Sequence, residues 1–252
     1  MSAIVGYNTN INGLSLYLDA RNPNSYPGSG NTWYDLSLGA NNVSTGSMKY
    51  VSAGLTSSFS SSYDTGSDTN TSFINFYAPN LTTVATVETI CRFNNTNLNS
   101  NTQIIFGWDL YRVIFIPGNG FLSFQDALGG WGLTLPNSGS SIDGGGPAIF
   151  GIWYHFVFEM NNGATGPLSM FDNKMWVNGV QQNLTNGGST QITASQTFDG
   201  GNGLISSYKN LIPYNYYNGI NDYSMFKVYN RTLSQEEITN NYNYYKPLFN
   251  LY

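Results

Sequence analysis

Hydrophobic residues recur with a period of two along much of this chain. Leu14, Leu16, Leu18 and Ala20 alternate with Ser15, Tyr17 and Asp19, the pattern of a strand with one buried face. Val87, Thr89, Cys91 and Phe93 alternate with Glu88, Ile90 and Arg92 in the same way. Gln103 to Trp108, Tyr111 to Ile116 and Gly120 to Gln125 predict three further short strands, split by Pro117-Gly118. Trp153 to Met160 is apolar on both faces, which suits a central strand covered on each side. Lys174 to Val177 and Phe226 to Tyr229 complete the strand set. Asn161-Asn162-Gly163 and Asn178-Gly179 mark tight turns, because Asn and Gly tolerate positive φ.

One helix stands out near the end. Ser234 followed by Glu237 predicts a capping box, Ile238, Tyr242 and Tyr245 form one apolar stripe, and Pro247 is expected to stop the helix. Asn94 to Asn101, Asn137 to Pro147 and Gly200 to Gly219 read as long loops within one domain, with no repeat and no linker. Evenly spread strands with polar turns indicate an all-β sandwich or jelly roll.

Composition sharpens this picture. Only 9 % of the 252 residues are charged while 15 % are aromatic, and the chain holds 34 Asn, 28 Gly and 19 Tyr against four Glu. Such a chain has ample material for a core and is not disordered. A net charge of −5 with scattered cations leaves no footprint for nucleic acid. Apolar runs of a few residues are too short to span a membrane as a helix. The lone Cys91 excludes an intrachain disulfide and reads as a small buried hydrophobe. Met-Ser-Ala-Ile-Val-Gly-Tyr lacks the basic and apolar regions of a secretory signal, so the chain is expected to be cytosolic when made or exported without a classical peptide, which a protein assembled inside a host and later exposed on a particle would fit.

Four stretches carry a family resemblance. Leu16 to Ser37 resembles the opening of concanavalin A-like, laminin G-like jelly-roll domains, with a strand, Asp-Ala, a Pro/Gly turn and Trp-x-Asp-Leu-Ser. Gly151 to Gly163 resembles the family's Trp-x-His strand, Lys174 to Val180 its Asn-Gly hairpin, and Phe226 to Asn243 its closing strand, Asn-Arg-x-Leu-Ser turn and helix. The resemblance implies one sandwich of two antiparallel sheets with a short C-terminal helix over residues 13–252, preceded by a possible attachment arm, Met1 to Asn12. Asn-rich, Tyr-rich versions are similar to domains of tailed-phage and other viral structural proteins. That implies a virion subunit whose partners are other virion proteins, copies of itself and host-surface glycans.

Candidate chemistry is sparse. The glucanases among such jelly rolls carry two Glu and an Asp on alternating positions of one strand, and no such motif occurs here. Glu88 and Glu159 stand alone on separate strands, while Glu236 and Glu237 belong to the first helical turn. His155, the only histidine, has no Gly-x-Ser-x-Gly partner and is expected to be a hydrogen-bonded core residue. The chain is therefore read as a non-enzyme.

The resemblance also implies a structural calcium ion held by Asp35 with Asn41 and Asn42. In the closing strand the family's acidic position falls on Ser224, with Asp222 two residues earlier. The competing reading is that Asp35 organises a turn. Carbohydrate recognition needs aromatic faces and amides, which Tyr208 to Tyr223 supplies: Tyr214, Tyr216 and Tyr217 with Asn215 and Asn218 interleaved, and Tyr223 and Asn221 at its end. Trp131, between two glycines in an expected loop, is a further candidate. The same residue types suit a subunit interface equally well.

Overall fold

The structure is a computed structural model describing residues 11–61, 73–81, 84–94, 103–108, 111–116, 121–126, 131–134, 151–161, 173–186, 198, 201–207 and 221–252. In chain order the strands are β1 (Leu14–Asp19), β2 (Thr32–Trp33), β3 (Val43–Ser44), β4 (Lys49–Val51), β5 (Ser58–Ser60), β6 (Ile74–Tyr77), β7 (Val84–Phe93), β8 (Gln103–Trp108) and β9 (Tyr111–Ile116). There follow β10 (Phe121–Asp126), β11 (Trp131–Thr134), β12 (Trp153–Asn161), β13 (Lys174–Val177), β14 (Val180–Gln181), β15 (Thr185–Asn186), β16 (Asn202–Ile205) and β17 (Asn221–Tyr229). The helix α1 spans Gln235–Phe249.

Two antiparallel sheets form the sandwich. An eight-stranded sheet runs β14-β13-β12-β7-β17-β5-β4, with β1 also paired to β17, and a seven-stranded sheet runs β15-β11-β10-β9-β8-β16-β6. Alternation sends Val87, Cys91 and Phe93 of β7, with Phe156 and Phe158 of β12, into one core with Phe106, Phe115 and Phe124 of the facing sheet. Phe93 stacks on Phe115 at 4.1 Å between ring centroids, and Phe106 meets Phe158 edge-on at 5.4 Å. The sequence expectation of an all-β sandwich of two antiparallel sheets with one C-terminal helix holds.

The outer face of the eight-stranded sheet is also covered. Ile90, Trp153 and Met225 pack against Tyr242, Tyr245 and Phe249 of α1, while Val157, Trp176 and Tyr229 pack with Ile238 and Leu233. The helix is thus a third layer, and its apolar stripe is the reason that β12 is apolar on both sides. The Asn178-Gly179 turn between β13 and β14 has positive φ at both residues, +49° and +79°, as its sequence predicts. Trp176 donates its indole N–H to Gln235 Oε1 (2.8 Å), tying this hairpin to the first turn of α1.

One edge of β17 is shared by two strands. Asp222 and Tyr223 pair with β5, whereas Met225 to Val228 pair with Asp19 to Leu16 of β1 and, past a register shift, Tyr229 pairs with Leu14. Ser224 sits at the changeover, where its carbonyl accepts from Ala20 N–H (2.8 Å) and its hydroxyl donates to Ser57 C=O (2.7 Å).

Two sequence expectations need correction. The helix does not stop at Pro247 but continues to Phe249, and Asn250 closes it in the left-handed conformation (φ 52°). Pro247 removes only the hydrogen bond to Asn243 C=O, close to the end where few bonds remain, and Phe249 anchors the last turn on Trp153 at 5.2 Å. The stretch Gly200 to Gly219 is not all loop, because it contains β16, which pairs with β6 and β8. Gly203 hid that strand from the hydrophobic pattern; a Cβ there would overlap the Phe76 ring.

Candidate binding site at one end of the sandwich

Six connections cross between the sheets, and four of them leave from one end: 62–72 from β5 to β6, 95–102 from β7 to β8, 135–150 from β11 to β12, and 208–220 from β16 to β17. The strand ends that flank them lie at the same end of the molecule. In one sheet Phe93 pairs with Asn221, Arg92 with Trp153 and Asp222, and Asp222 with Ser60. In the other, Ile74 pairs with Ile205, Gln103 with Phe115, and Ser123 with both Ile114 and Thr134.

A buried polar frame stitches the two sheets together at this level. The N–H of Asn221 donates to Ser61 Oγ (2.9 Å), and its carbonyl accepts from Ser61 N–H (3.0 Å). Its Nδ2 reaches Ile104 C=O in the opposite sheet (3.2 Å). Tyr223 donates its hydroxyl to Ile105 C=O (2.8 Å), and Ser206 and Ser61 share a hydroxyl hydrogen bond (3.0 Å). Each of these groups is out of water and would destabilise the fold if left unpaired. Tyr223 and Asn221 are therefore structural members of the frame and not sugar-contacting side chains, which corrects that part of the sequence reading.

On the outer face at the same end, Arg92 donates from Nε (2.9 Å) and Nη2 to Oδ2 of buried Asp222. Its guanidinium lies 4.7 Å from the centre of the Trp153 ring. The Arg92 side chain is 31 % exposed, and Asp222 Oδ1 has no hydrogen-bond partner among the described residues. Periodicity placed Arg92 on a polar face but gave no sign of this pairing.

The remaining predicted residues fall as follows. Tyr214, Asn215, Tyr216, Tyr217 and Asn218 lie outside the described residues. Trp131 is the first residue of β11, paired with Gln125, so it stands in a strand where a loop was expected. Asp35, Asn41 and Asn42 do come together, but as a turn. Asp35 Oδ1 accepts from the N–H groups of Tyr17 (2.8 Å) and Ser37 (2.8 Å), while Oδ2 accepts from Ser37 Oγ (2.6 Å) and Asn41 N–H (2.8 Å). Asn42 Oδ1 accepts from Asp35 N–H (3.0 Å). These contacts use the carboxylate as the organiser of the loop, while Asp222 is held by Arg92. Among the described residues no group of three or more His, Cys, Asp or Glu is arranged to hold a metal.

The four glutamates are all described. Glu88, read as standing alone, meets His155 beneath α1, where His155 is the hydrogen-bonded core residue that was expected. Glu88 accepts from His155 Nε2 (2.9 Å), Lys227 Nζ (3.2 Å), Tyr229 hydroxyl (3.1 Å) and Asn241 Nδ2 (3.1 Å), and Glu88, His155 and Lys227 are all 0 % exposed. Burial alone would raise the Glu88 carboxyl, but Lys227 and the His155 hydrogen bond hold it at about 2. The same pairing outweighs burial at Lys227 and raises its pKa. Glu159 is buried and paired with Lys174 (3.3 Å), with its carboxyl raised by burial. Glu236 and Glu237 lie in the first turn of α1, where Glu237 closes the capping box and binds Arg231 (2.7 Å). No two of these groups form an open acid–base pair across a cleft.

No protein-family model matches the sequence, and no curated protein matches it. Solved structures do. The botulinum neurotoxin serotype D binding domain is similar at 15 % identity and TM-score 0.60, over 94 % of this chain and 53 % of that one. A botulinum neurotoxin type C structure, described as entering cells through interaction with two ganglioside molecules, is similar at 14 % identity and TM-score 0.58, over 92 % and 51 %. Trypanosoma rangeli sialidase is similar at 14 % identity and TM-score 0.56, over 94 % and 33 %. This chain therefore spans about half of the toxin chains and a third of the sialidase, and what it shares with them is the β-sandwich fold.

Proposed function

We propose that this protein is a non-catalytic glycan-binding sandwich, carried as a surface subunit of a tailed-phage virion, with the end that bears segments 95–102, 135–150 and 208–220 as its contact surface. The observation that carries the binding reading is the convergence of four sheet-crossing segments on one braced end. One of those segments holds Tyr214, Asn215, Tyr216, Tyr217 and Asn218. Rigid strands presenting variable loops are the usual way a sandwich positions recognition residues. The closed environments of Glu88 and Glu159 support a binding role over hydrolysis. The similarity to toxin binding domains, one of them tied to gangliosides, points the same way.

The particle setting rests on the sequence resemblance, and there the partners are other virion proteins and further copies of this chain. Two measurements test the proposal. A glycan array probed with the wild-type protein should give specific binding that falls when Tyr214, Tyr216 and Tyr217 are changed together to Ala, and again with W131A. Binding that survives both sets of changes removes these residues from the site. Immunogold labelling of a lysate should decorate capsid, neck or fibre. Gold confined to cell surfaces would instead make the protein a bacterial lectin, and polysaccharide turnover lost on mutating Asp109, Asp126 or Asp222 would make it an enzyme.

A further inference from the structure

We propose that Arg92 is a specificity-determining residue for a carboxylate-bearing sugar, read by the outward edge of a guanidinium that Asp222 and Trp153 hold in place. This inference rests on the glycan-binding reading above and names the ligand class. Arg92 lies two residues before the end of β7, so segment 95–102 leaves from its own strand. Its two register partners, Trp153 and Asp222, follow segments 135–150 and 208–220. It is therefore the charged residue central to the strand ends from which three of the four segments leave.

Its geometry is that of a fixed donor and not of a solvated surface charge. Both donors engaged by Asp222 go to Oδ2, and Trp153 covers one flat face. Nη1 and the second Nη2 hydrogen have no partner among the described residues. A guanidinium held by a buried carboxylate on one edge and an indole on one face loses little freedom when its remaining edge binds. That edge fits the two oxygens of a carboxylate better than it fits a neutral hydroxyl. Of the other described cations, Arg21 is committed to Asp19, Lys227 to Glu88, Lys174 to Glu159 and Arg231 to Glu237, while Arg112 is buried on β9 of the facing sheet and Lys246 lies over the Tyr242 ring on α1. Exposed Lys49 lies in the same transverse row, through Ser60 and Asp222. It stands three strands away, about 14 Å at the usual strand spacing, too far to share one carboxylate with Arg92.

The test compares 3′-sialyllactose, lactose and 3′-sulfolactose by titration calorimetry on the full chain. The wild-type protein should bind sialyllactose about tenfold more tightly than lactose, the scale of a charge-assisted hydrogen-bond pair. R92K, which keeps the charge but not the planar edge, should lose most of that preference. R92Q alone leaves Asp222 buried without its counter-ion, so the R92Q/D222N pair serves as the fold control. It should melt near the wild-type temperature and bring the two sugars within twofold. A preference retained in a folded R92Q/D222N variant, or equal wild-type affinity for lactose, overturns the role of Arg92 while glycan binding stands. Equal binding of sulfolactose overturns the choice of carboxylate. Failure of all three sugars together with an empty glycan array overturns the glycan reading itself.

Discussion

Replacing Glu88 by Gln should be among the most damaging single changes available in this protein. The substitution keeps the shape and some hydrogen bonding, but it leaves the Lys227 ammonium at 0 % exposure without its counter-ion, 3.2 Å from a neutral amide. Removing one partner of a buried ion pair costs about 3–5 kcal/mol. The lowered pKa of the carboxyl gives a second figure for the same pairing. Held at about 2 in the fold against 4.5 as an isolated group, it contributes about 3 kcal/mol at neutral pH. Because the folded value is the lower one, this stabilisation is fully present above pH 4.5 and is lost as pH falls through the range down to about 2.

Urea unfolding followed by tryptophan fluorescence at pH 7 should therefore show E88Q less stable by about 3–5 kcal/mol, with the gap closing toward pH 2. The double variant E88Q/K227M should recover most of the loss, since replacing both charges removes the unpaired ion. A loss below about 1 kcal/mol for E88Q, or no recovery in the double variant, would refute the buried counter-ion argument.

Other expectations are quicker to check. F249A should cost about 3–5 kcal/mol by removing the ring that packs on Trp153, read as a lower thermal midpoint. S234A should cost about 1 kcal/mol through loss of the hydroxyl that accepts from Glu237 N–H. G179A should destabilise by more than the ordinary turn penalty, because φ is +79° and its Cβ would lie 2.8 Å from Tyr242 Cδ1; an unchanged urea midpoint would argue against that close approach. EDTA should leave the melting temperature unchanged, since four protein donors already fill the Asp35 carboxylate; a clear drop would reinstate a structural calcium.

The strands that build the central sheet were readable because one physical cause, a buried face at every second residue, acts along their whole length. The two-sided apolar run of β12 went further and implied a second cover, which α1 supplies. The charge cluster beneath that cover was not readable. On β7, Glu88 occupies the polar phase of an alternating strand, and alternation cannot distinguish a face turned to water from a face roofed by a helix. The available clue was joint: a helix with an apolar stripe of Ile238, Tyr242 and Tyr245 must lie on a sheet face, and β12 alone offered one carrying Trp153, His155 and Val157. β16 escaped notice because glycine has no side chain to enter the pattern. The tyrosine segment was legible as composition only, since its sequence shows no period that would fix the direction of its side chains.

The shared edge of β17 has a mechanical consequence. Residues 12 and 13 meet 230 and 231 at the end opposite the four crossing segments, through Asn230 N–H to Gly13 C=O (2.8 Å) and Arg231 Nε to Asn12 C=O (2.7 Å). A pull that grips the molecule at the crossing-segment end and at residues 12 and 13 drags β1 and β17 past each other lengthwise. Their five paired positions, Leu14 to Asp19 against Tyr229 to Met225, are then loaded in shear and must yield together, whereas a peeling force would open them one at a time. An adhesive domain tethered through its first strand would in this way resist tension along the direction in which a bound surface would apply it.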